Sequence, residues 1–218
     1  MPTGTAERLF RVLIALAAFA GLGIQLWIFL ESPDFASPLS AVWRMLAFFT
    51  ILTNLMVGIA SAVSAIAPNS ASGRLLAGAN TRAGVVLYIG LVGIVYHVLL
   101  AGLWDPQGWQ KIADLLLHTA TPVMIAIAWI FFDAKKDLTL KALPQIIVYP
   151  VAYTVYAMIR GAGDGFYPYP FIDVSELGYA RVLMNVVGLT AAFLFSGGLL
   201  ILTGRALSSV GFRTSPAR

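Results

Sequence analysis

Six runs of apolar residues, each close to the length that crosses a lipid bilayer, follow one another with only short breaks between them. They cover 9–30, 42–67, 83–104, 111–132, 142–160 and 179–203. Roughly 20 apolar residues in an α-helix span the hydrocarbon core, and a helix satisfies all of its own backbone N–H and C=O groups where no water can. The sequence therefore predicts an all-α integral membrane protein: a six-transmembrane-helix bundle forming a single domain over 1–218. Composition supports this, because 59% of the residues are hydrophobic and 11% charged, which leaves no stretch able to build a separate soluble core. The first run lies close to Met1 but is too long for an ordinary signal peptide, so it is expected to be retained. Turn chemistry marks the breaks, as in Ser32-Pro33-Asp34, Pro68-Asn69-Ser70 and Asp105-Pro106.

Six passes leave two ways to orient the bundle, and the basic residues choose between them. Arg8, Arg11, Arg74, Arg82, Lys135, Lys136, Lys141, Arg205, Arg213 and Arg218 fall on one side, against Arg44, Lys111, Arg160 and Arg181 on the other. By the positive-inside rule the first group faces the cytoplasm, so both termini are expected there. These bases are scattered between apolar spans and form no patch interleaved with aromatics, which argues against a nucleic-acid partner. The chain has no cysteine, so disulfides, thiolate metal sites and cysteine nucleophiles are excluded. It also carries no GxSxG elbow, HExxH pair, Walker A loop or GxGxxG after a strand.

Polar residues inside membrane spans are costly and mark functional sites by default. Counting along the spans at about 1.5 Å per residue places Thr50, Thr53 and Asn54 roughly 12 to 18 Å along the second run. His118 on the fourth and His97 on the third fall in the same outer half. Arg160, Arg181 and Asn185 lie above that layer, and no comparable set is expected toward the other end. Thr50 and Asn54, four apart, share a helix face, so a hydroxyl and an amide donor project together. Asp114 precedes His118 by four residues and is placed to accept its ring N–H; it also suits a helix start. Pro122, lacking an N–H, should bend the helix beneath His118, and Pro144 and Pro150 should bend the fifth span. The glycine and aromatic-proline segment 160–171 can lie across the mouth of a pocket or form an interfacial belt.

Phe48-Phe49-Thr50-Ile51-Leu52-Thr53-Asn54, Leu117-His118-Thr119 with Pro122, and Arg160-Gly161 through Tyr167-Pro168-Tyr169-Pro170-Phe171 together resemble the androgen-induced-protein family, and more closely its bacterial six-span membrane branch. The resemblance covers nearly the whole chain. It implies a membrane hydrolase that cleaves fatty acid esters of hydroxy fatty acids with a threonine nucleophile and a histidine, here Thr50, with Thr53 as the other register, and His118. Asn54, His97 or Arg160 would then stabilise the oxyanion and Asp114 orient His118, with no metal and no cofactor. The expected partner is a lipid substrate with long acyl chains, bound among membrane lipids. The expected location is a bacterial inner membrane, with the site toward the outer leaflet. Two other readings stand beside this one. His97 and His118 at matching depth are also the pattern of a bis-histidine haem protein, and a polar layer between broken helices suits a lipid binder or transporter without chemistry.

Overall fold

The computed structural model describes residues 4–209; Arg213 and Arg218 lie outside them. The described residues form helices α1 (Thr5–Glu31), α2 (Pro38–Met45), α3 (Phe49–Ile66), α4 (Ala71–Leu76), α5 (Ala79–Val95), α6 (Gly108–Leu115), α7 (Thr121–Phe132), α8 (Leu143–Asp164) and α9 (Val174–Ser209). Among the described residues six stretches are long and apolar enough to cross a membrane: α1, α3, α5 extended to Leu103, the α6–α7 rod, Leu140–Asp164 and α9. The all-α six-helix bundle read from the sequence is the fold. At its centre α5 is buried from Arg82 to Gly93 with few gaps, among α3, α7, α8 and α9, while α1 lies along α3 and the α6–α7 rod. Outward faces are apolar too, as at Leu9, Leu13 and Leu16 on α1 or Val151, Val155 and Ile159 on α8, as lipid contact requires.

The second span departs from its expected course. A single helix over 42–67 was expected, but α2 stops at Met45, and α3 begins at Phe49 after a turn. Thr50 therefore stands in the first turn of α3. Leu46-Ala47-Phe48 carries no glycine or proline, so hydropathy reads straight through the break; tertiary hydrogen bonds hold it open. The Tyr153 hydroxyl of α8 donates to the Ala47 carbonyl at 2.8 Å and Tyr156 to the Leu46 carbonyl at 3.1 Å. Irregular backbone at membrane depth is tolerated only where protein satisfies it.

Two further defects are met in the same way. The α6–α7 rod widens into a π-turn at Leu116–Ala120, where the Thr121 N–H reaches back five residues to the Leu116 carbonyl. In that register the Leu117 carbonyl would look to residue 122, a proline without an N–H. Asn54 Nδ2 of α3 supplies the missing donor at 3.1 Å. Pro150 frees the Ile146 carbonyl in α8, and the Tyr88 hydroxyl of α5 takes it at 2.6 Å. Pro144, expected to kink the fifth span, instead sits in the first turn of α8, where proline costs nothing. A second π-turn, Tyr96–Leu100, extends α5 at the level of the first. The sixth span, α9, kinks at Gly178, whose φ of 71° only glycine adopts readily, and runs on to Ser209 rather than ending near 203.

The end of the bundle opposite Thr50 overturns the expectation that polar groups gather in one half. Glu7 and Arg11 of α1, Arg82 of α5, and Asp133 and Lys135 after α7 are all buried. Arg11 and Arg82 both pair with Asp133 Oδ1, the latter at 2.9 Å, and Arg82 also reaches Ser64 of α3 at 3.2 Å. Lys135 Nζ donates to the carbonyls of Trp129, Ile130 and Asp133, closing the end of α7. Charges that the orientation count treats as solvated loop residues thus tie four spans together.

Candidate functional site

Thr50 and His118 line one cavity of about 350 Å³, with Phe48, Tyr96, Gln110 and Tyr169 among its walls. A narrower cavity of about 90 Å³ lies between α5, α8 and α9, walled by apolar side chains such as Val92, Leu189 and Phe193. Thr50, Tyr96, Leu100 and Tyr169 belong to both and form the partition where the two meet. Thr50 reaches this position because the break before α3 places it in the first helical turn.

His118 is held by two contacts that fix its ring. Nδ1 lies 3.0 Å from Asp114 Oδ1, and the ring stacks on Tyr96 with centroids 3.9 Å apart and planes inclined by 13°. The carboxylate accepts the Nδ1 proton, which leaves Nε2 as the acceptor in the neutral ring. The π-turns present Tyr96 and His118 to each other; such turns recur at functional sites. Asp114 therefore has the orienting position the sequence allowed it. The Trp104 indole N–H donates to the Tyr96 hydroxyl at 3.2 Å. Gln25 and Gln110 exchange hydrogen bonds at 2.8 and 3.4 Å along the same cavity.

The other sequence candidates fall elsewhere. Thr53 is fully buried, with its hydroxyl 3.0 Å from that of Tyr149, and lines neither cavity, so of the two threonines only Thr50 faces the space. Asn54 donates both amide hydrogens, to the carbonyls of Thr50 at 2.9 Å and Leu117 at 3.1 Å. It has no donor left for a substrate; instead it fastens the turn carrying Thr50 to the turn carrying His118. His97 is exposed on the far side of its π-turn, its Nε2 3.0 Å from the Thr119 hydroxyl, and does not share the His118 cavity. A bis-histidine haem needs both rings turned to one iron, an arrangement these two histidines do not make. Arg160 is buried beside α2, bonded to Tyr156 at 2.9 Å and Asp164 at 3.3 Å, with its guanidinium 4.1 Å from the Trp43 ring centre. Its place is a separate groove with Trp43 and Asp164, so it docks α2 on α8. Arg181 is exposed, and Asn185 holds the Phe171 carbonyl at 2.8 Å.

The segment 166–172 does lie over the cavity, bringing in a residue that sequence reasoning missed. The Tyr169 hydroxyl accepts the Thr50 backbone N–H at 3.3 Å. Burial pushes this phenol above its ordinary pKa, against the opposing pull of hydrogen bonds from Thr50 and Phe49. Tyr96, Gln25 and Gln110 were missed too. Gln25, a lone amide inside the first apolar run, carried a usable signal; nothing in the local pattern marks Tyr96, and Tyr169 is one of several aromatics within the 160–171 segment.

No family model, curated protein or solved structure matches this chain.

Proposed function

We propose that the protein is an intramembrane lipid-ester hydrolase in which Thr50 is the nucleophile, His118 the base and Asp114 the residue that orients it. The carrying observation is the meeting of two cavities at Thr50, with the oriented His118 facing the larger. An ester between two acyl chains suits this shape: its carbonyl sits at the partition and one chain runs into each cavity. His118 Nε2 takes the Thr50 hydroxyl proton as Thr50 Oγ1 bonds to the carbonyl carbon. The intermediate then expels the alcohol, which receives that proton, and water clears the acyl-enzyme by the reverse path. Fatty acid esters of hydroxy fatty acids, the substrates implied by the sequence resemblance, have this two-chain form. The hydroxy acid's free carboxylate would stay near the Gln25, Gln110 and Trp104 end of the larger cavity.

Activity-based labelling tests the assignment. Full-length protein in detergent, treated with a lipid-tailed fluorophosphonate and mapped by peptide mass, is expected to carry the label on Thr50 and to lose it in His118→Ala. A folded protein that takes no label, or takes it at a residue away from the partition, refutes the assignment.

A bacterial inner membrane completes the reading and rests on the sequence resemblance and the short loops; the orientation, with both termini cytoplasmic and the Thr50 end toward the outer leaflet, rests on the basic-residue bias. Because the chain has no cysteine, single cysteines report orientation cleanly. In intact cells, Ala36→Cys, exposed between α1 and α2, is expected to react with a membrane-impermeant maleimide, and Asp137→Cys, exposed after α7, to react only after permeabilisation. The opposite pattern inverts the topology.

A further inference from the structure

A tetrahedral intermediate on Thr50 needs hydrogen-bond donors for its oxyanion, and the three side chains that sequence reasoning offered are all committed elsewhere. Asn54 spends both hydrogens on backbone carbonyls, His97 faces away with Thr119, and Arg160 lies in another groove. Among the polar side chains lining the larger cavity, Gln25 and Gln110 bond each other, Trp104 donates to Tyr96, and the Tyr96 hydroxyl is itself hydrogen-bonded to Asp114. Tyr169 differs from these. Its oxygen accepts the Thr50 N–H and lies beside the Thr50 hydroxyl, and it stands at the partition, lining both cavities.

We propose that the Tyr169 phenol is a catalytic residue of this site, donating its O–H to the carbonyl oxygen of the bound ester as charge develops there. The inference rests on the hydrolase reading above. As the Thr50 Oγ1–carbon bond forms, the carbonyl π pair moves onto oxygen, and the phenol lends a hydrogen bond without giving up its proton. The Thr50 N–H, the Thr50 hydroxyl and the Tyr153 hydroxyl hold the phenol oxygen beside Thr50, and the O–H turns from these neighbours to an acceptor bound at Thr50. Burial pushes the phenol above its usual pKa, in keeping with a group that lends a hydrogen bond and keeps its own proton. The break in the second span gains a purpose, since it presents the Thr50 N–H to Tyr169 rather than to a preceding helical turn.

The competing explanation is that Tyr169 merely satisfies the first turn of α3, and two variants separate the two. Tyr169→Phe, assayed as full-length protein on a fatty acid ester of hydroxystearic acid, is expected to lower kcat by about 10²-fold with KM little changed, as loss of one oxyanion donor does. Replacing Tyr169 with 3,5-difluorotyrosine keeps the ring and the accepting oxygen but makes the phenol more acidic, so the alkaline limb of the kcat profile is expected to move to lower pH. A helix-capping role alone would leave that limb in place. Full kcat in Tyr169→Phe, with Thr50→Ala inactive, overturns the role of Tyr169 and spares the hydrolase reading. An unshifted limb in the fluorinated protein does the same. A wild-type protein that neither turns over the ester nor labels at Thr50 removes both.

Discussion

Thr50→Ala is expected to reduce hydrolysis of a fatty acid ester of hydroxystearic acid to background, and His118→Ala to do nearly the same. Loss of a nucleophile or its base from a working pair costs on the order of 10⁴-fold to 10⁶-fold in kcat. The two residues act in one step, one supplying the oxygen and the other removing its proton, so the double variant should be no slower than either single one. That non-additivity is the sharper test, because two residues that only shape a cavity would lose activity in separate increments. Asp114→Asn should fall between wild type and these variants. An amide at that position no longer favours the Nδ1–H tautomer, yet leaves Nε2 and Thr50 in place. Initial rates with purified protein, each variant normalised to its folded fraction, decide the matter. Retention of full activity by either alanine variant ends the proposed mechanism.

What the sequence made legible is the part set by local chemistry. Apolar runs of bilayer length announced six helices, and the i, i+4 spacing of Asp114 and His118 announced their hydrogen bond. Roles that depend on which side chain repairs which backbone defect were not legible. Asn54 shares a face with Thr50 as expected, but its amide serves the carbonyl orphaned by Pro122 sixty-odd residues away, a partnership no local pattern encodes. The break at Leu46–Phe48 is equally silent, because its donors Tyr153 and Tyr156 come from α8. Depth counting assumed an unbroken second helix and so misjudged how Thr50 is presented. It also treated each polar residue as pointing inward, whereas the single-residue step from Tyr96 to His97 carries the side chain from the cavity wall to the outer surface. A hydropathy profile gives the level of a residue along the bilayer normal and says little of its direction around the helix.

The buried charges at the opposite end carry the second large expectation, this one for stability. Asp133→Ala should destabilise the bundle by about 3–5 kcal/mol, the usual cost of removing one partner from a buried ion pair. Asp133 Oδ1 accepts both Arg11 and Arg82, so its loss leaves two guanidiniums, 2% and 9% exposed, facing each other across the position the carboxylate held, with Glu7, 3.7 Å from Arg11, as a carboxylate still at hand. Asp133→Asn keeps the volume and one acceptor oxygen but not the charge, and should fall between wild type and alanine. Asp137→Asn, exposed four residues further on, should change stability by no more than about 0.5 kcal/mol. Thermal unfolding of the three variants in one detergent gives the order directly. An Asp133→Ala protein that melts with wild type would mean that the spans do not depend on this knot. Turnover per folded molecule should survive in either case, since Thr50, His118 and both cavities lie at the other end of the bundle.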